Sequence, residues 1–84
     1  MSSIIKYPLI NEKTLKLLRE DNTLVFVVDR RFSKLAIRSA LEELYELKIA
    51  NINTLVDVRG NKKAFVRLTD EQIALEIATN LGLM

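Results

Sequence analysis

Thr23-Leu24-Val25-Phe26-Val27-Val28 is an unbroken run of β-branched, aliphatic and aromatic residues with no charge in it. A strand wetted on one face alternates apolar and polar positions, and this one does not. It is therefore predicted to be a central strand covered on both faces. Upstream, Asp21-Asn22 supplies turn chemistry. Before that turn, Leu15, Leu17 and Leu18 give an apolar side to a helix over about 12–20, with Asn11 as N-cap and Ile10 and Leu15 as a hydrophobic staple. A short strand is expected at residues 3–7, ended by Pro8, which has no N–H for a ladder.

Downstream, Ser33 caps a second helix whose apolar positions Ile37, Ala40, Leu41, Leu44 and Tyr45 follow the i, i+3, i+4, i+7 spacing of one buried face. From Lys48 to Val58 the period becomes two, with Ile52, Thr54, Val56 and Val58 on one side and Asn53, Leu55 and Asp57 on the other. Turn residues Arg59-Gly60-Asn61-Lys62 then lead into a strand that alternates Ala64, Val66 and Leu68 with Lys63, Phe65 and Arg67, a β-hairpin. Thr69 and Gln72 form a capping box for a last helix with Ile73, Ala74, Ile77, Ala78 and Leu81 inward and Gly82 beyond its end. The expected fold is a single α+β domain over residues 1–84, in the order β-α-β-α-β-β-α, with helices packed on a mainly antiparallel four-stranded sheet.

Composition narrows the chemistry. Across 84 residues there is no cysteine and no histidine, so thiol chemistry, disulfides and the commonest proton shuttle and metal ligand are missing together. Two glycines do not make a phosphate cradle, and no carboxylate pair or Ser-centred motif suggests an enzyme. No catalytic residue, metal or cofactor is expected. The longest apolar run, Leu24 to Val28, is far short of the ~20 residues a membrane helix needs, and Lys6 and Pro8 interrupt any leader-like segment. A cytoplasmic binding domain without membrane insertion is expected.

The net charge of +2 says little, but its distribution says more. Arg30, Arg31, Lys34 and Arg38 form one acid-free run and Arg59, Lys62, Lys63 and Arg67 another, while Glu42, Glu43 and Glu46 gather at the far end of the second helix. That helix is charged against its own dipole at both ends, each placement costing roughly 0.3–1 kcal/mol at most. Rule-breaking of this kind often marks function, so the two runs are expected to converge on a surface facing a polyanion; a solvated basic face is the equally weighted alternative. Phe65 between Lys63 and Arg67 suits a nucleic-acid surface, but taken singly it fits a second small core under a helix slightly better, since aromatics in strands are usually core. The basic hairpin tip is placed to enter between phosphates or, more blandly, to protect an edge from self-pairing. Glu12 complements the dipole of the first helix, and Lys13 and Lys16 beside it are phosphate ligands or simply solvated.

Four blocks, Pro8-Leu9-Ile10-Asn11-Glu12-Lys13, Val25-Phe26-Val27-Val28-Asp29, Ile52-Asn53-Thr54-Leu55 and Lys62-Lys63-Ala64-Phe65-Val66, resemble in order and spacing those of the L twenty-three family of large-subunit ribosomal proteins. The resemblance runs from about Ile5 to Gly82 and suits the compact archaeal-type form. It implies binding to large-subunit rRNA at the rim of the polypeptide exit tunnel, among neighbouring ribosomal proteins. It also implies a platform for signal recognition particle, chaperones and the translocon. On this resemblance Asn53, Thr54, Lys62, Lys63 and Phe65 fall on RNA-facing blocks, and Glu12 on a chaperone-contacting acidic position, with Lys13 and Lys16 beside it expected to share in partner docking. The short turn at Gly60-Asn61 departs from bacterial-type members, which carry a long tunnel-directed extension there. Read from the residues alone, a small protein-interaction domain that binds no RNA is the alternative; the aromatic- and glycine-rich signatures of a four-stranded RNA reader are missing.

Overall fold

A computed structural model describes residues 4–69. Four strands and two helices follow in the order β1 (Ile5–Pro8), α1 (Glu12–Asp21), β2 (Thr23–Val28), α2 (Lys34–Tyr45), β3 (Ile49–Val56) and β4 (Lys62–Leu68). The expected final helix, with Gln72, Ile73, Ala74, Ile77, Ala78, Leu81 and Gly82, lies outside the described residues. The strands make one sheet in the order β1-β2-β4-β3, antiparallel at every junction. The fold class is the α+β sheet-and-helix domain expected from the sequence.

β2 lies between β1 and β4, and all six of its residues are buried. Pleating divides them. Leu24, Phe26 and Val28 join Ile5, Leu18, Ile37, Leu41, Leu47, Ile49, Ile52, Ala64, Val66 and Leu68 in the main core. Val25 and Val27, on the other face, are just as buried but belong to no part of that cluster. The centre of the main core is Phe26, which has no exposed surface and stacks on Tyr45 with ring centroids 5.6 Å apart.

Helix boundaries follow local chemistry. Asn11 Oδ1 accepts from the Thr14 N–H at 2.9 Å while Thr14 Oγ1 accepts from the Asn11 N–H at 2.9 Å, a reciprocal capping box. Asn22 ends α1 in the left-handed region (φ 54°) and fastens the helix to the sheet. Its Nδ2 donates to the Leu68 carbonyl at 2.9 Å, and its own carbonyl accepts from the Leu68 N–H at 3.1 Å. Ser33 caps α2 as expected, its hydroxyl accepting from the Ala36 N–H.

The structure corrects the sequence reading in several places. β1 includes Pro8, which is tolerated because this is an edge strand and the missing N–H falls at its last residue. Leu44 is exposed rather than inward: the last turn of α2 turns Tyr45 onto Phe26, and the chain reverses at Glu46 (φ 54°) to bring Leu47 into the core instead. A bulge between Ile49 and Asn51 lets residues three apart, Ile49 and Ile52, face the same core. β3 stops at Val56, so Val58 is fully exposed in the turn and shares no strand face.

Phe26 fills the centre of a well-packed core, so Phe26→Ala is expected to cost about 3–5 kcal/mol, read as a lowered urea midpoint with little change in slope.

Candidate nucleic-acid interface

The register of β2, β4 and β3 dictates which side chains share the sheet face away from the main core. Three cross-strand rows result: Val27-Lys63-Leu55, Val25-Phe65-Asn53 and Thr23-Arg67-Asn51. α1 borders this face. Phe65, half-buried, stands between two hollows and lines both. One, of about 180 Å³, is bounded by Lys13, Leu17, Val25, Leu55 and Lys63 among others. The second, of about 420 Å³, is bounded by Asp21, Thr23, Asn51, Asn53 and Arg67. Phe65 thus lies neither in the main core nor wholly in solvent: it is half-buried, with Val25 as its cross-strand neighbour and the two hollows at its flanks.

The cations expected on one polyanion-facing surface are distributed over several. Lys63 and Arg67 are on the open sheet face, where Lys13 joins them from α1. Lys62, one residue from Lys63, points to the opposite face, and its Nζ donates to the Phe32 carbonyl at 2.8 Å. Thr54 likewise faces the main-core side, opposite Ala64, whereas Asn53 shares the face of Phe65.

Arg30 reaches the hairpin turn. Its guanidinium lies so close to Gly60 that a Cβ there would sit 2.9 Å from Nη1, which brings Arg30 to the turn holding Arg59. Arg31 is bound to Asp29, with Nη2 2.7 Å from Oδ2. Arg38 is shared between Glu42 at 3.1 Å and the Ile49 carbonyl at 3.1 Å. Lys34 is exposed in the first turn of α2, and Glu12 and Lys16 are exposed on α1. The two basic runs therefore do not form one surface. They divide into a sheet-face set (Lys13, Lys63, Arg67) and a turn set (Arg30, Arg59), with Arg31 and Arg38 tied to carboxylates.

The turn was expected at Arg59–Lys62 and is built earlier, around Asp57. The Gly60 N–H donates to the Asp57 carbonyl at 3.0 Å, and the Asp57 N–H to the Asn61 carbonyl at 2.9 Å. With Gly60 at φ 85°, this is a type I turn closed by a glycine bulge. Asp57 Oδ1 also accepts from the N–H groups of Asn61 and Arg59, and these bonds lower its pKa. The tip thus contains an acid whose charge is spent on its own backbone, which sets the arc on which Arg59 stands.

Asp29 is the other carboxylate with a defined task. The Arg31 guanidinium, and then the Arg31 N–H, hold its pKa down at about 2, while the same pairing raises that of Arg31. This fixes the exit of β2 into α2. Asn51 and Asp21, both bordering the second hollow, were missed as site residues. Asn51 has the parity of Asn53 and was legible from it; Asp21 comes from α1 and only packing brings it there.

A four-stranded antiparallel sheet with the main core on one face and, on the other, an aromatic among cations and amides bordered by α1 is a small α+β domain. Sequence comparison makes this specific. The model of the family described as Ribosomal protein L23 matches residues 3–75. A Methanococcus aeolicus relative described as "Large ribosomal subunit protein uL23" is 44% identical over 80 residues, covering 95% of this chain and 93% of that one. A Methanococcus maripaludis protein of the same description is 45% identical over the same shares. One from Tetrahymena thermophila is 43% identical over 82 residues, 98% of this chain and 55% of that longer one. The chain belongs to the ribosomal protein L23 family. It is accordingly a ribosomal protein, associated with the cytoplasmic ribosome, and the relatives named here are ribosomal proteins rather than enzymes. No helix among the described residues is long and apolar enough to cross a membrane.

Because the Asp29 pKa is lowered on folding, its pairing stabilises the native state above the ordinary value of 3.8 and loses that effect as pH falls through about 2. Asp29→Asn is expected to flatten the dependence of stability on pH across that window, as read by urea unfolding at a series of acid pH values.

Proposed function

We propose that this chain is a structural constituent of the large ribosomal subunit that binds large-subunit rRNA through the open sheet face. Neighbouring ribosomal proteins pack around it. The observation that carries this reading is the placement of Lys13, Lys63 and Arg67 around a half-exposed Phe65, with Asn53 beside the ring. Cations of this kind take phosphates and set the register of the RNA, while an aromatic and amides suit bases and sugars. Arg30 and Arg59 at the hairpin turn form a second phosphate contact, and Lys34 lies on the exposed start of α2. Lys62 acts indirectly, by tying β4 to the loop before α2.

The same reading places the chain at the rim of the exit tunnel as a docking platform for signal recognition particle, chaperones and the translocon. Glu12 and Lys16, exposed at the start of α1 and apart from the residues of the hollows, would meet such factors. Family likeness in the block around Glu12 supports this part.

Lys63→Glu with Arg67→Glu is expected to leave the fold intact and to prevent incorporation into large subunits, followed by sedimentation of tagged protein. In filter binding to large-subunit rRNA, the log–log salt slope is expected to become shallower by about 0.7–0.9 for every phosphate the variant no longer neutralises. Unchanged sedimentation and slope would remove the sheet face from the interface. Glu12→Ala, by contrast, is expected to keep wild-type rRNA binding and to weaken recruitment of signal recognition particle to purified ribosomes. Equal recruitment would leave Glu12 as a helix-terminal charge only.

A further inference from the structure

The two hollows beside Phe65 differ in charge, and that difference orients a ligand. The smaller is bordered by Lys13 and Lys63 and by no carboxylate. The larger is bordered by Asp21, Asn51, Asn53 and Arg67, one acidic residue and two amide residues beside a single cation. No ion pair within 4 Å joins Asp21 to Arg67 among the described residues, so neither neutralises the other. A phosphate is attracted to the first hollow and repelled from the carboxylate of the second. A nucleobase edge, which offers N–H donors and carbonyl acceptors side by side, suits the carboxylate and amides of the second. Phe65, the cross-strand neighbour of the buried Val25, lines both hollows and is half-buried.

We propose that this face takes one unpaired RNA nucleotide, its base stacked on Phe65 with its polar edge toward Asp21, Asn51 and Asn53, and its phosphate over Lys13 and Lys63. This rests on the rRNA-binding reading and deepens it: the recognised element is an extruded or single-stranded nucleotide, not the flank of a continuous helix. A base inside an A-form duplex has both faces covered by its neighbours and cannot offer one to Phe65.

The chain has no tryptophan, so Phe65→Trp places a single indole reporter at the ring position. The full-length variant is titrated at about 50 mM salt, where phosphate contacts are strong. The probes are the heptanucleotide UUUGUUU and a blunt RNA duplex, with binding of each followed separately by anisotropy of labelled RNA. The single strand is expected to quench the indole as it binds, and the duplex to bind without quenching. Phe65→Leu, which keeps apolar cover over Val25, is expected to weaken the single strand by about five- to 150-fold, the equivalent of one stacked base, and the duplex little. Thermal melting checks that both variants fold. Equal quenching by the duplex, no quenching by the single strand, or unchanged single-strand affinity in Phe65→Leu overturns the stacked nucleotide. If in that event Lys63→Glu with Arg67→Glu still blocks subunit incorporation, rRNA binding stands without the stacked base.

Discussion

Six consecutive buried residues in β2 set the terms for everything else. Their backbone groups have no access to water and need partners on both sides, which β1 and β4 provide. Their side chains need cover on both faces as well. On one face α2 and its neighbours supply a full core around Phe26; on the other, cover comes from the side chains of the flanking strands and the edge of α1. Val25 and Val27 are buried there with half-buried cross-strand neighbours, Phe65 and Lys63. The sheet face proposed to meet rRNA is therefore the outer layer of the structure around β2.

This double duty fixes the geometry of the proposed surface. Lys63, Phe65 and Arg67 project from a strand paired on both edges, so their spacing is fixed by the pleat and their cross-strand neighbours by register. The proposed RNA surface, built this way, needs little ordering on binding, which limits the entropic cost of association. The hairpin turn works on the same principle: Asp57 uses its carboxylate to hold the arc, and Arg30 braces against Gly60 from another element. Charge is carried on structure fixed by other bonds.

The pairing of Arg31 with Asp29 and of Arg38 with Glu42 shows why a charge run in sequence is a poor map of a charged surface. Residues adjacent in the chain diverge in space when a strand alternates, as Lys62 and Lys63 do. Residues far apart meet when a helix packs beside a strand, as Lys13 and Lys63 do. The converse also holds, since Asp21, at the end of a helix, borders a hollow otherwise made of strand residues.

The sequence by itself determined the local architecture. The central position of β2, the caps at Asn11 and Ser33, the hairpin and its alternation all rest on periodicity and capping chemistry, which act over a few residues. It also excluded cysteine and histidine chemistry outright. What only the tertiary structure decided was membership of the sheet face: that Lys13 and Asp21 belong to it, that Lys62 and Thr54 do not, and that Leu44 yields its core place to Leu47. A bulge at Ala50, a left-handed residue at Glu46 and the packing of α1 against β2 made those choices. Each depends on contacts between segments distant in the chain, for which no short-range pattern holds the information.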